Sequence, residues 1–180
     1  FLDYCGQLFG LNQAERNRRV DNLLKQVSMT AAADRALRHF SRGMLQRIGV
    51  AQALINDPDL VFFDEPMLGL DPVGRYEVRR IILDLRERGK TVCFSTHILS
   101  DVESLCDRVA ILNAGRIRQI GTPEQIYTEP TDTFVATFIG APPMNLIEKE
   151  DGIIGFRPEH MAPKDGPEVA SGLMDGPFRV

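Results

Sequence analysis

Two short stretches of the chain hold residues that could bind a phosphate and activate a water molecule. Residues 40–47 (FSRGMLQR) place a serine and a glycine just before a run with helical apolar spacing. The start of a helix attracts anions, most often phosphates, through its free N–H groups and dipole. Residues 60–66 (LVFFDEP) end an apolar run in Asp64 and Glu65. Because successive residues leaving a strand point in different directions, one carboxylate could hold a metal while the other faces a water.

The elements predicted around these residues bring them to one edge of a sheet. The unbroken apolar run at residues 60–63 predicts a strand buried on both faces, and residues 91–95 predict a second buried strand. An amphipathic helix is expected between the two strands. Strand, helix and strand in this order imply a right-handed parallel crossover. Asp64, Glu65 and His97 are therefore expected at the same carboxyl-terminal edge.

Further helices and a hairpin are expected on either side of this pair of strands. Residues 1–9 predict a helix, and an apolar stripe over residues 20–27 predicts a second one, where Asn12 and Glu15 have the spacing of a capping box. Two strand-like runs flank a turn at residues 113–115 and predict a β-hairpin. Four residues are placed to cap the starts of helices: Asn12, Ser41, Asp71 and Thr122.

Five motifs of this sequence resemble those of the ATP-binding cassette (ABC) ATPases, in the same order and spacing. Residues 40–44 resemble the signature motif, and residues 46–47 resemble the end of its extended form. Residues 60–65 resemble the Walker B motif, residues 69–72 the D-loop, and residues 95–97 the switch histidine after a strand. Each motif is weak alone, but all five fall within about sixty residues, which makes a chance match improbable.

The resemblance implies an α/β fold and a site for ATP and Mg²⁺. The fold would be part of a P-loop NTPase (ABC ATPase) fold: a parallel sheet with flanking helices and a helical subdomain, followed by the start of a small β domain. Asp64 would bind Mg²⁺, directly or through water. Glu65 would be the general base that polarises the attacking water, and His97 would hydrogen-bond the γ-phosphate.

The resemblance also implies a site shared between two chains. Ser41 and the backbone of Gly43 would bind the γ-phosphate of a nucleotide carried by the opposite subunit, and Asp71 would cross the same interface. ATP hydrolysis in this head-to-tail dimer, a homodimer or a heterodimer, would drive solute transport by separate integral membrane permease subunits. The protein would then be a peripheral ATP-binding subunit at the cytoplasmic face of the cell membrane.

Three regions are expected along the chain. Residues 1–57 would form the helical subdomain and the signature helix, and residues 58–139 the C-terminal part of the ATPase core. Residues 140–180 would be a linker and the truncated start of a β-barrel regulatory domain. Residues 138–145 and 156–160 resemble that linker and the first strands of that domain in sugar-import ABC ATPases.

Two departures from the family pattern bear on the direction of transport and on activity. Arg42 and Met44 stand where the family usually has a glycine and a glutamine, which resembles an exporter branch, whereas the tail resembles an importer. Import and export therefore both stay open. The glycine-rich G-x-x-x-x-G-K-[ST] loop that wraps the phosphates does not occur in the sequence. We expect this chain, which starts without a methionine, to be a C-terminal fragment that is inactive alone.

Other classes of function find less support in the sequence. A formal net charge of -4 does not favour nucleic-acid binding. Cys5, Cys93 and Cys106 lie too far apart in sequence to suggest a metal site or a disulfide framework. No window approaches the roughly 18 apolar residues of a membrane helix. Two alternatives stay open: a soluble ABC ATPase without a transport role, and a degenerate cassette without catalysis.

Each candidate residue also has an ordinary explanation. Adjacent acids at the end of a strand are often solvated loop residues, and a histidine after a strand is more often a surface residue than a ligand. A Ser-x-Gly sequence is a common helix cap. It is the joint spacing of the motifs that favours the functional interpretation. His39 and His160 have no partner in the motifs.

Overall fold

The computed structural model describes residues 1–140, 142–149 and 152–158. The chain divides into two compact units, Phe1–His97 and Ile98–Val180, and each is described by itself. The first unit is α/β and contains the residues of the candidate site. Its elements are α1 (Leu2–Leu8), α2 (Gln13–Gln26), short 3-10 helices at Thr30–Ala32 and Leu37–His39, α3 (Arg42–Ala53), β1 (Leu60–Phe63), α4 (Pro72–Glu87) and β2 (Thr91–Phe94).

Strands β1 and β2 form a parallel pair, as the strand, helix, strand order predicts. Leu60 lies opposite Thr91, and Phe63 lies opposite Phe94. Helix α4 joins the two strands and buries one apolar stripe, made of Val78, Ile81, Ile82 and Leu85. The carboxyl ends of β1 and β2 therefore meet at one edge, where the chain continues into Asp64 and Ser95.

The prediction of a strand buried on both faces at residues 60–63 was wrong, and so was the prediction of a second buried strand at residues 91–95. Val61 and Phe63 of β1 are buried, but Leu60 is exposed and Phe62 is 70% exposed. Along β2, exposed residues alternate with half-buried ones. Side chains of a strand alternate between faces. Among the described residues, this sheet has two strands, and one face of it is exposed. An apolar run therefore predicted a strand correctly but did not predict what would pack on it.

The predicted helix caps are confirmed. Each accepts a hydrogen bond from the backbone N–H three residues on, with donor–acceptor distances of 2.9 Å at Asn12, 3.3 Å at Ser41, 3.0 Å at Asp71 and 3.2 Å at Thr122. At Thr122 the Gln125 side chain also accepts from the Thr122 N–H, which completes a capping box. Glu15 does not complete the box at Asn12, because its carboxylate binds two arginines of the same helix.

The described residues of the second unit form short helices and two hairpins. Its elements are α5 (Leu99–Leu105), β3 (Val109–Asn113), β4 (Arg116–Gly121), α6 (Pro123–Thr128), α7 (Thr133–Phe138), β5 (Asn145–Lys149) and β6 (Gly152–Phe156). The predicted β3–β4 hairpin is confirmed, with an irregularity between Ile111 and Leu112. A buried apolar cluster of Ile111, Ile126, Val135 and Ile139 holds the hairpin against α6 and α7.

Strands β5 and β6 form an antiparallel hairpin within the region expected to begin a small β domain. Arg157, which follows β6 and is 2% exposed, attaches this hairpin to the α6–α7 segment. Its guanidinium donates to the carbonyls of Ile139 and Tyr127 and lies 3.8 Å from the centre of the Tyr127 ring. The end of the expected tail motif, Glu159 and His160, lies outside the described residues.

Within the described part of the chain, no helix is both long enough and apolar enough to cross a membrane.

Candidate functional site

The candidate site begins where β1 ends, at the adjacent acids Asp64 and Glu65. The hydroxyl of Ser95, which follows β2, forms hydrogen bonds with both of these residues. Ser95 Oγ donates to Asp64 Oδ1 over 2.6 Å and accepts from the Glu65 N–H over 2.8 Å. The parallel register of β1 and β2 places Ser95 beside the two acids, and its backbone N–H also donates to the carbonyl of Phe63.

The side chains of Glu65 and His97 contact each other at the same edge. His97 Nδ1 lies 2.8 Å from Glu65 Oε1, and the imidazole is 63% exposed. An ionised carboxylate can only accept hydrogen bonds, so Nδ1 is the donor in this pair. The opposite ring nitrogen, Nε2, is then available to a ligand. The structure thus brings together Asp64, Glu65 and His97 through neighbouring strands.

The backbone of Glu65 has an unusual conformation. Its φ is +45°, in the left-handed region that residues with a Cβ rarely adopt. The Glu65 carbonyl accepts from the N–H of Leu68 over 3.0 Å and from Gln46 Nε2 over 3.2 Å. Neither Gln46 nor Ser95 was predicted as a site residue. Gln46 lies in the stretch that resembles the extended signature, and Ser95 lies in the stretch that resembles the switch-histidine motif.

Asp64 has the chemistry to bind a magnesium ion. It is exposed, and its carboxylate supplies the hard oxygen ligands that Mg²⁺ prefers. Among the residues that the structure describes, no cluster of three or more His, Cys, Asp or Glu side chains could hold a metal ion by itself. The residues present therefore fit an ion held by one carboxylate together with phosphate oxygens and water, which is a common arrangement for Mg²⁺.

A second group of candidate residues lies at the starts of α3 and α4. Ser41 caps α3 and is exposed, and Gly43 lies in its first turn. A Cβ at Gly43 would lie 3.6 Å from Leu70 Cδ2, so the start of α3 packs directly against the loop before α4. Asp71 caps α4 from that loop and is 64% exposed. The α3 start and the Asp71 loop are therefore close neighbours.

Arg47 connects α3 to the start of α4. Its guanidinium lies 3.3 Å from Asp71 Oδ1 and 2.9 Å from Glu77 Oε2. Space for it depends on Gly74, where a Cβ would lie 2.8 Å from Arg47 Nη2 and 2.7 Å from Asp71 Oδ1. Because Arg47 holds two acids of α4 at once, the Asp71 cap and the α3 helix are fixed relative to each other. The sequence indicated Arg47 only as the end of the extended signature.

Comparisons with known proteins give the class of this site. The sequence profile of a family described as ABC transporter matches residues 5–68. A solved structure titled "Structure of ATP binding subunit of ABC transporter" superimposes with a TM-score of 0.63 and 33% sequence identity, covering 69% of this chain and 54% of that one. The fold is therefore part of the α/β fold of an ABC ATP-binding subunit.

Sequence relatives agree with this class. An uncharacterized ABC transporter ATP-binding protein of Synechocystis is 53% identical over 128 residues, which is 70% of this chain and 36% of the relative. An sn-glycerol-3-phosphate import ATP-binding protein of Rhizobium johnstonii is 34% identical over 96% of this chain and 50% of its own length. The ABC transporter ATP-binding protein NatA of Bacillus subtilis is 40% identical over 70% of this chain and 51% of its own length.

The chain belongs to the ABC transporter ATP-binding family. It spans about a third to a half of the length of these relatives, from 36% to 51%.

Proposed function

We propose that this chain is the C-terminal part of the ATP-binding subunit of an ABC transporter, and that the whole subunit hydrolyses ATP with Mg²⁺. The observation that carries this proposal is the meeting of Asp64, Glu65 and His97 at one sheet edge, with Glu65 and His97 2.8 Å apart. A metal ligand, a general base and a phosphate ligand are the groups that hydrolysis of a phosphoanhydride requires from a protein.

Each of the three side chains has a defined task in this mechanism. Glu65 accepts a proton from the water that attacks the γ-phosphorus. His97 holds Glu65 through Nδ1 and binds a γ-phosphate oxygen through Nε2. Asp64 would hold Mg²⁺, which would supply positive charge to the phosphate oxygens. Ser95 holds the Asp64 carboxylate and the backbone N–H of Glu65.

The proposed site is completed by a second subunit. Ser41 and the N–H of Gly43 present the start of α3, where free N–H groups attract a phosphate. Ser41 and Asp71 are exposed, which leaves both available to a nucleotide or residues of an opposing chain. We assign them to the γ-phosphate of the nucleotide carried by that chain, in a head-to-tail homodimer or heterodimer.

The proposed partners are membrane permease subunits, reached at the cytoplasmic face of the membrane. Residues 1–57 would form the helical subdomain and signature helix, 58–139 the C-terminal part of the ATPase core, and 140–180 the linker and start of a regulatory β domain. Relatives matched over 94–96% of this chain are named sn-glycerol-3-phosphate import ATP-binding proteins, which supports an importer-like C-terminal region. No solute is assigned.

The decisive experiment is the substitution Glu65→Gln in the full-length subunit that contains this chain. The amide keeps the shape but cannot take up a proton, so the kcat for ATP hydrolysis should fall by about 100-fold or more while ATP still binds. Glu124→Gln, at an exposed position in the first turn of α6, is the matched control and should hydrolyse ATP like the unmodified protein. Unchanged hydrolysis in Glu65→Gln would remove Glu65 from the mechanism, whereas a lack of hydrolysis by the unmodified subunit would favour the non-catalytic alternative.

A further inference from the structure

We infer that Gln46 of α3 is a positioning residue for the Glu65 carboxylate, acting through the main chain of Glu65. The inference rests on the proposed function, in which Glu65 is the general base. Gln46 does not touch the reacting atoms. It holds the Glu65 carbonyl, and the Glu65 side chain is directed at the site from that fixed backbone.

The first observation is the backbone conformation of Glu65. Its φ of +45° is unfavourable for a residue with a Cβ. Pro66 follows directly, and a residue before proline ordinarily adopts an extended conformation with negative φ. Conformations of this kind persist where the surrounding structure fixes them, and they cluster at functional sites. The neighbours that fix Glu65 are therefore candidates for a functional role.

The second observation is the set of groups that hold the Glu65 backbone. Its N–H donates to Ser95 Oγ over 2.8 Å, at the end of β2. Its carbonyl accepts from the Leu68 N–H over 3.0 Å, inside the local turn, and from Gln46 Nε2 over 3.2 Å. The backbone N–H and carbonyl of Glu65 are therefore both held by side chains, one from Ser95 after β2 and one from Gln46 in α3. Gln46 is the contact that connects this residue to α3.

The third observation is the direction of the Glu65 side chain. From the left-handed backbone, its carboxylate reaches His97 Nδ1 at 2.8 Å. Relaxation of φ to an extended value would swing the Cα–Cβ bond away from this partner. A carbonyl acceptor can only face the amide N–H₂ end of Gln46, which fixes the orientation of that side chain. Gln46 therefore links the helix that Ser41 caps to the side chain expected to activate water.

The test compares Gln46→Ala and Gln46→Glu with the unmodified full-length subunit. Gln46→Glu keeps the size of the side chain but replaces the donor with an acceptor, which cannot bind the Glu65 carbonyl when ionised. Both variants should lower kcat by about tenfold or more and change the KM for ATP by less than about twofold, because a displaced base impairs chemistry more than binding. Gln52→Ala, exposed on the same helix, should leave both constants unchanged.

A second measurement does not depend on activity. In Gln46→Ala, amide hydrogen exchange should become faster in the peptide that covers residues 64–68, and stay unchanged in α4. This result distinguishes local release of Glu65 from general unfolding, so a destabilised variant still tests the inference. An unchanged exchange rate at residues 64–68 would overturn it.

Glu65→Gln, measured in the same series, separates the inference from the function on which it rests. If Glu65→Gln is inactive while both Gln46 variants keep kcat within about twofold, the positioning role is wrong and the proposed function stands. If Glu65→Gln hydrolyses ATP normally, Glu65 is not the general base of the proposed mechanism, and the inference is overturned with that role. A rise in KM with an unchanged kcat in the Gln46 variants would also overturn the positioning role.

Discussion

At the scale of single residues, Ser95 contacts both of the neighbouring acids at the end of β1. Its hydroxyl donates to Asp64 and accepts from the N–H of Glu65, so one oxygen holds a side chain and a backbone at once. A hydroxyl group can do both, whereas an amide nitrogen or a carboxylate cannot. The Asp64 carboxylate and the Glu65 main chain are therefore fixed by a group that belongs to the neighbouring strand.

This arrangement predicts the effect of Ser95→Ala in the full-length subunit. Loss of the hydroxyl leaves the Asp64 carboxylate and the Glu65 N–H without this partner, and we expect ATP hydrolysis to fall by about tenfold. Ser95→Thr keeps the hydroxyl and should recover at least half of the activity. Steady-state hydrolysis measured over a range of Mg²⁺ concentrations checks both variants. Full activity in Ser95→Ala would show that Asp64 and Glu65 are positioned by other groups.

Some site residues could be predicted from the sequence and others could not, for a physical reason. Asp64, Glu65 and His97 could be predicted to meet, because the order of strands and helix determines which ends of the strands share an edge. Gln46 could not be predicted, because its hydrogen bond to the Glu65 carbonyl depends on the left-handed backbone of Glu65. Ser95 was not predicted as a site residue, although the register of β1 and β2 places it beside both acids. A residue before proline is expected to be extended, so the local rule pointed away from the observed conformation.

At the scale of elements, the helix starts were predictable because a cap is a local contact. The side chain of a cap residue reaches an N–H only two or three positions along the chain, so residue type and spacing are sufficient. Burial of the strands was not predictable in this way. Leu60 and Phe62 of β1 are exposed in the part of the chain that the structure describes. Whether a strand is covered depends on residues distant in sequence, which a local pattern does not indicate.

Asp132 caps α7, which was not predicted from the sequence, and its contacts lead to a testable prediction. Asp132 accepts from the Val135 N–H over 2.8 Å and pairs with the Arg118 guanidinium. The Val135 N–H first, and then Arg118, hold the pKa of Asp132 below its ordinary value of 3.8. The charged form is therefore favoured by folding. Its contribution is complete above the unfolded pKa and is lost as the pH falls through the folded pKa.

Asp132→Ala should destabilise the protein at pH 7 by about 1 kcal/mol, the usual effect of removing a cap. The difference in the free energy of unfolding between Asp132→Ala and the unmodified protein should become smaller as the pH is lowered below the ordinary pKa of an aspartate, about 3.9. Asp132→Asn is the matched control, since it keeps a capping oxygen without a titratable charge. Urea unfolding at pH 7 and at successively lower pH measures all three proteins. A difference that grows on acidification would contradict this account.

At the scale of the whole molecule, the chain holds some parts of the proposed site and lacks another. It has the acids, the histidine and the start of α3, but its sequence contains no G-x-x-x-x-G-K-[ST] loop. In the P-loop motif, such a loop surrounds the phosphates with backbone N–H groups and supplies a lysine and a hydroxyl for Mg²⁺. We therefore expect these 180 residues alone to supply little affinity for a nucleotide.

Because this loop does not occur in the sequence, we predict that residues 1–180 alone do not bind ATP with micromolar affinity. Asp64 offers one carboxylate to the metal, and the start of α3 is assigned to a nucleotide on the opposite subunit, so neither group holds a nucleotide by itself. Calorimetric titration with Mg²⁺ and ATP tests this, with circular dichroism to establish that the chain is folded. The full-length subunit under the same conditions is the positive control and should release binding heat. Micromolar affinity in the isolated chain would mean that its own residues form a complete nucleotide site, and the split of the site between two subunits would have to be abandoned.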